Sequence, residues 1–175
     1  MQGLSNEVPF FIFPYRPQEQ TEIVKMTKSL SRKLAEKGIR VREANLYDLA
    51  IGLIKEAGIF EAIIQNENSF SKKELFEDLQ GVLDPERYIA PKIAEIINKY
   101  PVDILFITGV GEVYPYIRSH NILNNLQRFA TEHPTVLWFP GEYTYSPESG
   151  SALRLFGELS DNRYYRAFNI LEYKI

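Results

Sequence analysis

Apolar residues fall along the chain in two kinds of pattern, short unbroken runs and stripes at helical spacing, and the two alternate. Pro9 to Tyr15, PFFIFPY, is a continuous apolar and aromatic run. It predicts a first strand buried on both faces. After Pro17 the residues Ile23, Met26, Leu30 and Leu34 recur at helical spacing with Lys and Glu between them, and Gly38 supplies a stop. Ile39 to Leu46, IRVREANL, alternates as a second strand would, and Tyr47 to Ala57 reads as a helix ending at Gly58.

From Ile59 to Tyr100 the pattern is helical throughout. Ser71 and Glu74 have capping-box spacing, Asp84-Pro85 sets a good cap before a first-turn proline, and Ile89, Ile93, Ile96 and Ile97 form one apolar stripe. Val102 to Thr108 predicts a third strand, Ile117 to Ala130 a helix, and Pro134 to Pro140 a fourth strand punctuated by Pro140-Gly141. Tyr143 to Ser151 reads as an exposed irregular loop, Ala152 to Gly157 as a short helix or turn, and Tyr164 to Leu171 as a final strand.

Parallel strands need crossovers, and the crossovers supply the helices that cover the sheet. The expectation is a single α/β domain over residues 1–175. It is a three-layer sandwich with a mostly parallel sheet of about five strands, and residues 59–100 form a helical insertion and crossover between strands 2 and 3.

The chain has 175 residues, 45% of them hydrophobic and 25% charged, which suits one well-buried domain. Net charge is −3, so no overall field draws the protein onto a phosphate backbone, and direct DNA binding is disfavoured. Cysteine is absent, which excludes disulfides, thiolate nucleophiles and sulfur-ligated zinc. No apolar run approaches the roughly 18 residues of a membrane span, and no signal-peptide core is present. A soluble cytoplasmic protein is expected.

Ligands of open α/β sheets bind beyond the carboxyl ends of the strands. Three predicted strand-end loops, Tyr15-Arg16, Gly109-Val110-Gly111-Glu112 and Gly141-Glu142-Tyr143, should therefore converge on one edge. The Gly109 and Gly111 pair invites a phosphate-loop reading, but no lysine follows, Glu112 would repel phosphate, and the dinucleotide fingerprint lacks its third glycine. A tight turn shaped by glycine is the competing reading.

Glu112, Arg118 and His120 are candidates for acid–base work, yet no nucleophile stands in a recognisable turn, and His120 and Glu112 lack the paired spacing of a zinc site. No catalytic residue, metal site or cofactor is expected. The candidate binding edge is Gly109, Gly111, Glu112, Tyr114, Tyr116, Arg118, His120, Gly141, Glu142, Tyr143, Arg163, Tyr164 and Arg166. Its second half draws on LRLFGELSDNRYYRAF, where Arg and Tyr mix as in interface hot spots, while Glu158 and Asp161 favour a protein partner over a phosphate backbone. Core packing of Tyr165 and Phe168 is the alternative there.

Taken together, TGVGEVYPYIRSHNILNNL, FPGEY and SDNRYYRAFNI, with FIFPY near the start and NLYDL in the middle, resemble the BrxB family of bacteriophage exclusion (BREX) defence systems. The resemblance covers nearly all of the chain. It implies a cytoplasmic prokaryotic protein encoded beside a DNA methyltransferase, a PglZ protein and a large ATPase, acting in protein–protein assembly and bringing no catalytic residues with it. Under it the chain is expected to be a non-catalytic adaptor that binds another BREX subunit, PglZ first and the ATPase or methyltransferase next. The rival expectation is a degenerate P-loop-like nucleotide-binding domain that senses nucleotide or assists the ATPase. Relatives are expected to carry a further helical segment before the residues matching Gly3 to Val8, so this chain would be a trimmed form.

Overall fold

A computed structural model describes residues 10–66, 69–126, 132–146, 150–161 and 167–172. The elements run in the order strand β1 (Phe10–Tyr15), helix α1 (Gln20–Glu36), β2 (Val41–Asn45), α2 (Leu46–Glu56), α3 (Phe60–Asn66), α4 (Lys72–Val82), a π-helical turn (Pro85–Ile89), α5 (Ala90–Lys99), β3 (Ile104–Thr108), α6 (Ser119–Leu126), β4 (Thr135–Ser146), β5 (Gly150–Leu155), β6 (Leu159–Asp161) and β7 (Phe168–Asn169). No helix among the described residues is long and apolar enough to cross a membrane.

Local chemistry accounts for the helix ends. Asn45 Oδ1 accepts from the Tyr47 and Asp48 amides at 2.9 and 3.2 Å, which turns the end of β2 directly into α2. Ser71 and Glu74 exchange both bonds of a capping box at the start of α4. Asp84 Oδ1 accepts from the Glu86 and Arg87 amides ahead of α5. At the far side of the sheet Arg40 grips Asp103 through its amide, Nε and Nη2 at 2.7, 2.8 and 2.7 Å, and so pins the entry of β2 to the entry of β3.

The sheet runs β2-β3-β4-β1-β7 with every pairing on that path parallel. From β1 the chain crosses through α1 to β2 at the opposite edge, and then works back through β3 and β4. Right-handed crossovers travelling in opposite directions put their helices on opposite faces. Accordingly α1 is the helix that covers one face among the described residues, with Ile23, Leu30 and Leu34 packed against Phe13, Phe106, Val136 and Trp138. Helices α2, α4, α5 and α6 cover the other, burying Ile12, Leu105, Ile107, Leu137 and Phe139. This is the three-layer α/β sandwich that the alternation of patterns predicts, with the helical stretch lying between β2 and β3.

The structure departs from expectation along β4. Pro140-Gly141 does not end the strand: β4 pairs with β1 up to Pro140 opposite Tyr15, then leaves the parallel sheet and runs to Ser146 in an antiparallel hairpin with β5. A proline has no amide to donate and is tolerated where a strand changes partners. At Gly141 an added Cβ would stand 2.1 Å from the Arg154 carbonyl oxygen, so the crossing needs glycine. The stretch read as an irregular loop therefore opens as strand, and the segment read as a short helix or turn is strand β5 followed by a turn. Leu153 and Leu155 face inward while Arg154 faces out, a period-two pattern only three residues long. Of the expected last strand the described part is Phe168–Asn169.

A candidate binding rim at the strand ends

Glycine at 109 has a specific task. Its φ is +74°, and a Cβ there would lie 2.6 Å from Asn45 Oδ1 and 3.1 Å from the Tyr47 amide nitrogen. The turn after β3 is thus pressed onto the cap of α2, which only a residue without a side chain permits. The Glu112 amide closes the turn by donating to the Gly109 carbonyl at 3.2 Å. Three amides at this end of the sheet are engaged within the protein: Glu112 N serves the turn, and the Tyr47 and Asp48 amides serve Asn45. After β1 the chain makes a short 3-10 turn, Pro17–Glu19, closed by Glu19 N donating to the Arg16 carbonyl.

The loops after β1 and β3 do meet. The buried Tyr15 hydroxyl donates to Gln20 Oε1, and Gln20 Nε2 donates to Glu112 Oε1 at 3.1 Å. Burial, with the Glu112 charge second, raises the Tyr15 pKa well above its ordinary value and keeps the phenol neutral. Beside this chain lies a crevice of about 400 Å³ between the first turns of α1 and the carboxyl ends of β2, β3 and β4. Its lining includes Glu43, Asp48, Glu112, Thr108, Lys28 and Trp138. Thr108 Oγ1 donates to Glu43 Oε1 at 2.6 Å.

Across Glu112, an almost wholly apolar pocket of about 210 Å³ opens between α2, α3 and α4, with Ile54, Phe60, Leu79, Val113 and Tyr116 among its walls.

Above the loop the β5–β6 turn folds back. Phe156 is held at φ +57°, its amide donates to the Pro140 carbonyl at 2.8 Å, and its ring meets Tyr114 edge to face at 6.4 Å. Gly111 makes room beneath it, since a Cβ there would lie 3.0 Å from both the Phe156 ring and Pro140. Tyr116 is half-buried against Phe76 with ring centroids 5.7 Å apart.

The other expected residues divide. Glu112, Arg118 and Glu142 are exposed, and Glu142 carries an ion pair with Arg154 at 3.4 Å. Tyr143 and His120 are buried: the Tyr143 hydroxyl donates to the Ala167 carbonyl at 2.6 Å, and His120 lies on the inner side of α6 with Ile122, Leu123 and Leu126. Neither presents its side chain to solvent. Arg163, Tyr164 and Arg166, and with them Tyr165, fall outside the described residues.

Sequence reasoning missed Phe156, Tyr47 and Gln20. Tyr47 is 45% exposed and Phe156 39% exposed, so both are aromatics that folding leaves open. The signal for Phe156 was available in Phe156-Gly157, a pair between two short alternating runs that reads as a hairpin turn with an unusual first residue. Among the described residues no group of three or more His, Asp or Glu side chains is disposed to hold a metal ion.

Fold and rim together define a three-layer α/β protein with a polar, aromatic edge at the carboxyl ends of its central strands. Residues 42–170 match the family model described as "BrxB: BREX protein BrxB". A Bacillus cereus (strain H3081.97) protein named "BREX protein BrxB" is 33% identical over 175 residues, covering 98% of this chain and 88% of that protein. One of the same name from Escherichia coli O9:H4 (strain HS) is 30% identical over 169 residues, covering 97% of this chain and 81% of its own length. The chain belongs to the BrxB family of BREX proteins. That designation names no reaction. No solved structure matches this chain.

Proposed function

We propose that the chain is a non-catalytic assembly component of a BREX anti-phage complex. It docks another BREX subunit, PglZ first, through the rim around Glu112, Tyr114, Arg118 and Phe156. The observation that carries this reading is Phe156: a large aromatic, 39% exposed, kept in a left-handed backbone conformation on top of the strand-end loop. Hairpin turns place Gly, Asn or Asp at such positions, and a bulky residue there costs on the order of 1–3 kcal/mol. Exposed aromatics and arginine are what interface hot spots use. The apolar pocket on the α2 side of Glu112 adds a recess that a partner side chain can fill. The acidic lining of the crevice speaks against a bound nucleotide phosphate.

The test is co-purification of the chain with PglZ, using Phe156→Ala combined with Arg118→Glu. Association and phage protection should both fall at least tenfold, with the thermal midpoint within a few degrees of the parent. Undiminished association with the doubly altered rim would sink the proposal.

A further inference from the structure

We infer that a second surface, independent of the rim, binds a nucleic-acid strand: phosphates lie along the outer side of α1 and an unpaired base rests on Tyr100 beyond the edge of β2. The first observation is how unevenly charge is spread. Between Lys25 and Arg42 seven side chains are cationic and one, Glu36, is acidic, a local charge of +6 on a chain of net −3. The whole-chain charge conceals a basic strip. Lys25 pairs with Glu22 at 3.4 Å and Arg40 with Asp103 at 2.7 Å. Lys28, Arg32, Lys33 and Lys37 are exposed and make no ion pair among the described residues.

Helix stability does not explain the strip. Lys28 and Arg32 stand four residues apart, as do Lys33 and Lys37, and like charges at that spacing repel. The helix dipole favours cations in the last turn, which covers Lys33 and Lys37 but leaves Lys25, Lys28 and Arg32 unaccounted for. Lys25 to Lys37 spans about 18 Å along the axis, the rise of about five stacked nucleotides.

The second observation lies where the strip turns the edge of the sheet. Val41 packs on the α1 side, so Arg42, next along the end strand β2, faces the other way. There its guanidinium lies 5.0 Å from the centroid of the Tyr100 ring, and the Lys99 ammonium lies 5.4 Å from it. The Tyr100 side chain is nonetheless 45% exposed. An open aromatic flanked by cations is what single-strand binders use, the base stacking on the ring while the cations take adjoining phosphates. A strip that bends round an edge suits a flexible polynucleotide and not a flat membrane surface. An acidic protein segment meets the cations but has no base to place on Tyr100.

Fluorescence anisotropy of a labelled oligothymidylate of about 20 nucleotides tests this. With about five phosphates neutralised, log K should fall with log salt at a slope of about −3.5, so affinity drops on the order of a hundredfold between about 50 and 200 mM. Lys28→Gln combined with Arg32→Gln and Lys33→Gln should weaken binding at least tenfold and make the slope shallower by about 2. Tyr100→Ala should weaken binding at least fivefold and leave the slope as it was, because stacking releases no counterions. All four side chains are exposed, so the thermal midpoints should stay within a few degrees of the parent.

No saturable binding at low salt, or undiminished binding by the triple variant, would overturn the inference. Polyglutamate of similar length binding as tightly as the oligonucleotide, or Tyr100→Ala without effect, would also overturn it, by assigning the strip to an acidic protein. Phosphatidylserine vesicles bound in preference to the oligonucleotide would do the same in favour of a membrane.

Discussion

Replacing Gly109 by alanine probes the contact on which the rim's position depends. Gly38 and Gly58 also have positive φ, +79° and +73°, but a Cβ at either meets nothing within 4 Å. Alanine at those sites should therefore cost only the left-handed conformation, about 1–2 kcal/mol. At Gly109 the same backbone term applies, and in addition the methyl would stand 2.6 Å from Asn45 Oδ1. Asn45 must then move, releasing the Tyr47 and Asp48 amides that it caps, and a lost N-cap adds about 0.5–2 kcal/mol. Gly109→Ala should thus destabilise by roughly 2–4 kcal/mol, clearly more than Gly38→Ala.

Urea unfolding followed by Trp138 emission and far-ultraviolet dichroism measures both variants on one scale. Adding Asn45→Ala sharpens the comparison. With the cap already gone, the penalty at Gly109 should fall towards that at Gly38, a coupling of about 1 kcal/mol in the double-mutant cycle. If Gly109→Ala and Gly38→Ala proved equally costly, the idea that the strand-end turn is held against the α2 cap would be wrong.

Other consequences follow from single contacts. The Arg40 guanidinium and amide hold the Asp103 carboxyl well below its ordinary value, so its stabilisation is in place above the unfolded value of about 3.9 and is lost as pH falls through the folded one. Asp103→Asn should accordingly flatten the loss of stability on the acid side, and an unchanged acid limb in pH-dependent melting would contradict the pairing. Burial raises the Tyr15 phenol, so its contribution is complete below the unfolded value of about 10 and disappears as pH climbs further; Tyr15→Phe should lessen the alkaline loss in the same assay. Millimolar ATP or GTP should leave the thermal midpoint unmoved, because a ligand far above its dissociation constant must stabilise the native state. A reproducible rise would restore the nucleotide-binding alternative.

Local signals proved readable where sequence and geometry are close neighbours. The buried runs 10–15 and 104–108 are strands because continuous apolar residues suit a sheet covered on both faces, and the caps at Ser71 and Asp84 form as their spacing predicts. The path of β4 was not legible, since Pro140-Gly141 has the composition of a stop. What carries the strand onward is the hairpin with β5, whose Arg154 carbonyl occupies the space a side chain at 141 would need.

Within the rim, polarity alone marked Tyr143 and His120 as candidates beside Glu112 and Arg118. The fold separates them, because Tyr143 points inward on its strand and His120 lies on the core side of α6. Phe156 and Tyr47 went unseen for the converse reason, as an aromatic in a sequence looks like core until its neighbours are placed.

In the proposed role this chain works by holding another BREX subunit. Size-exclusion chromatography with light scattering of the chain mixed with its cognate PglZ tests it most directly. A joint peak whose mass matches a complex, retained at moderate salt and lost with Phe156→Ala plus Arg118→Glu, is the result predicted. Separate peaks at every salt concentration, or a joint peak indifferent to the altered rim, would contradict it.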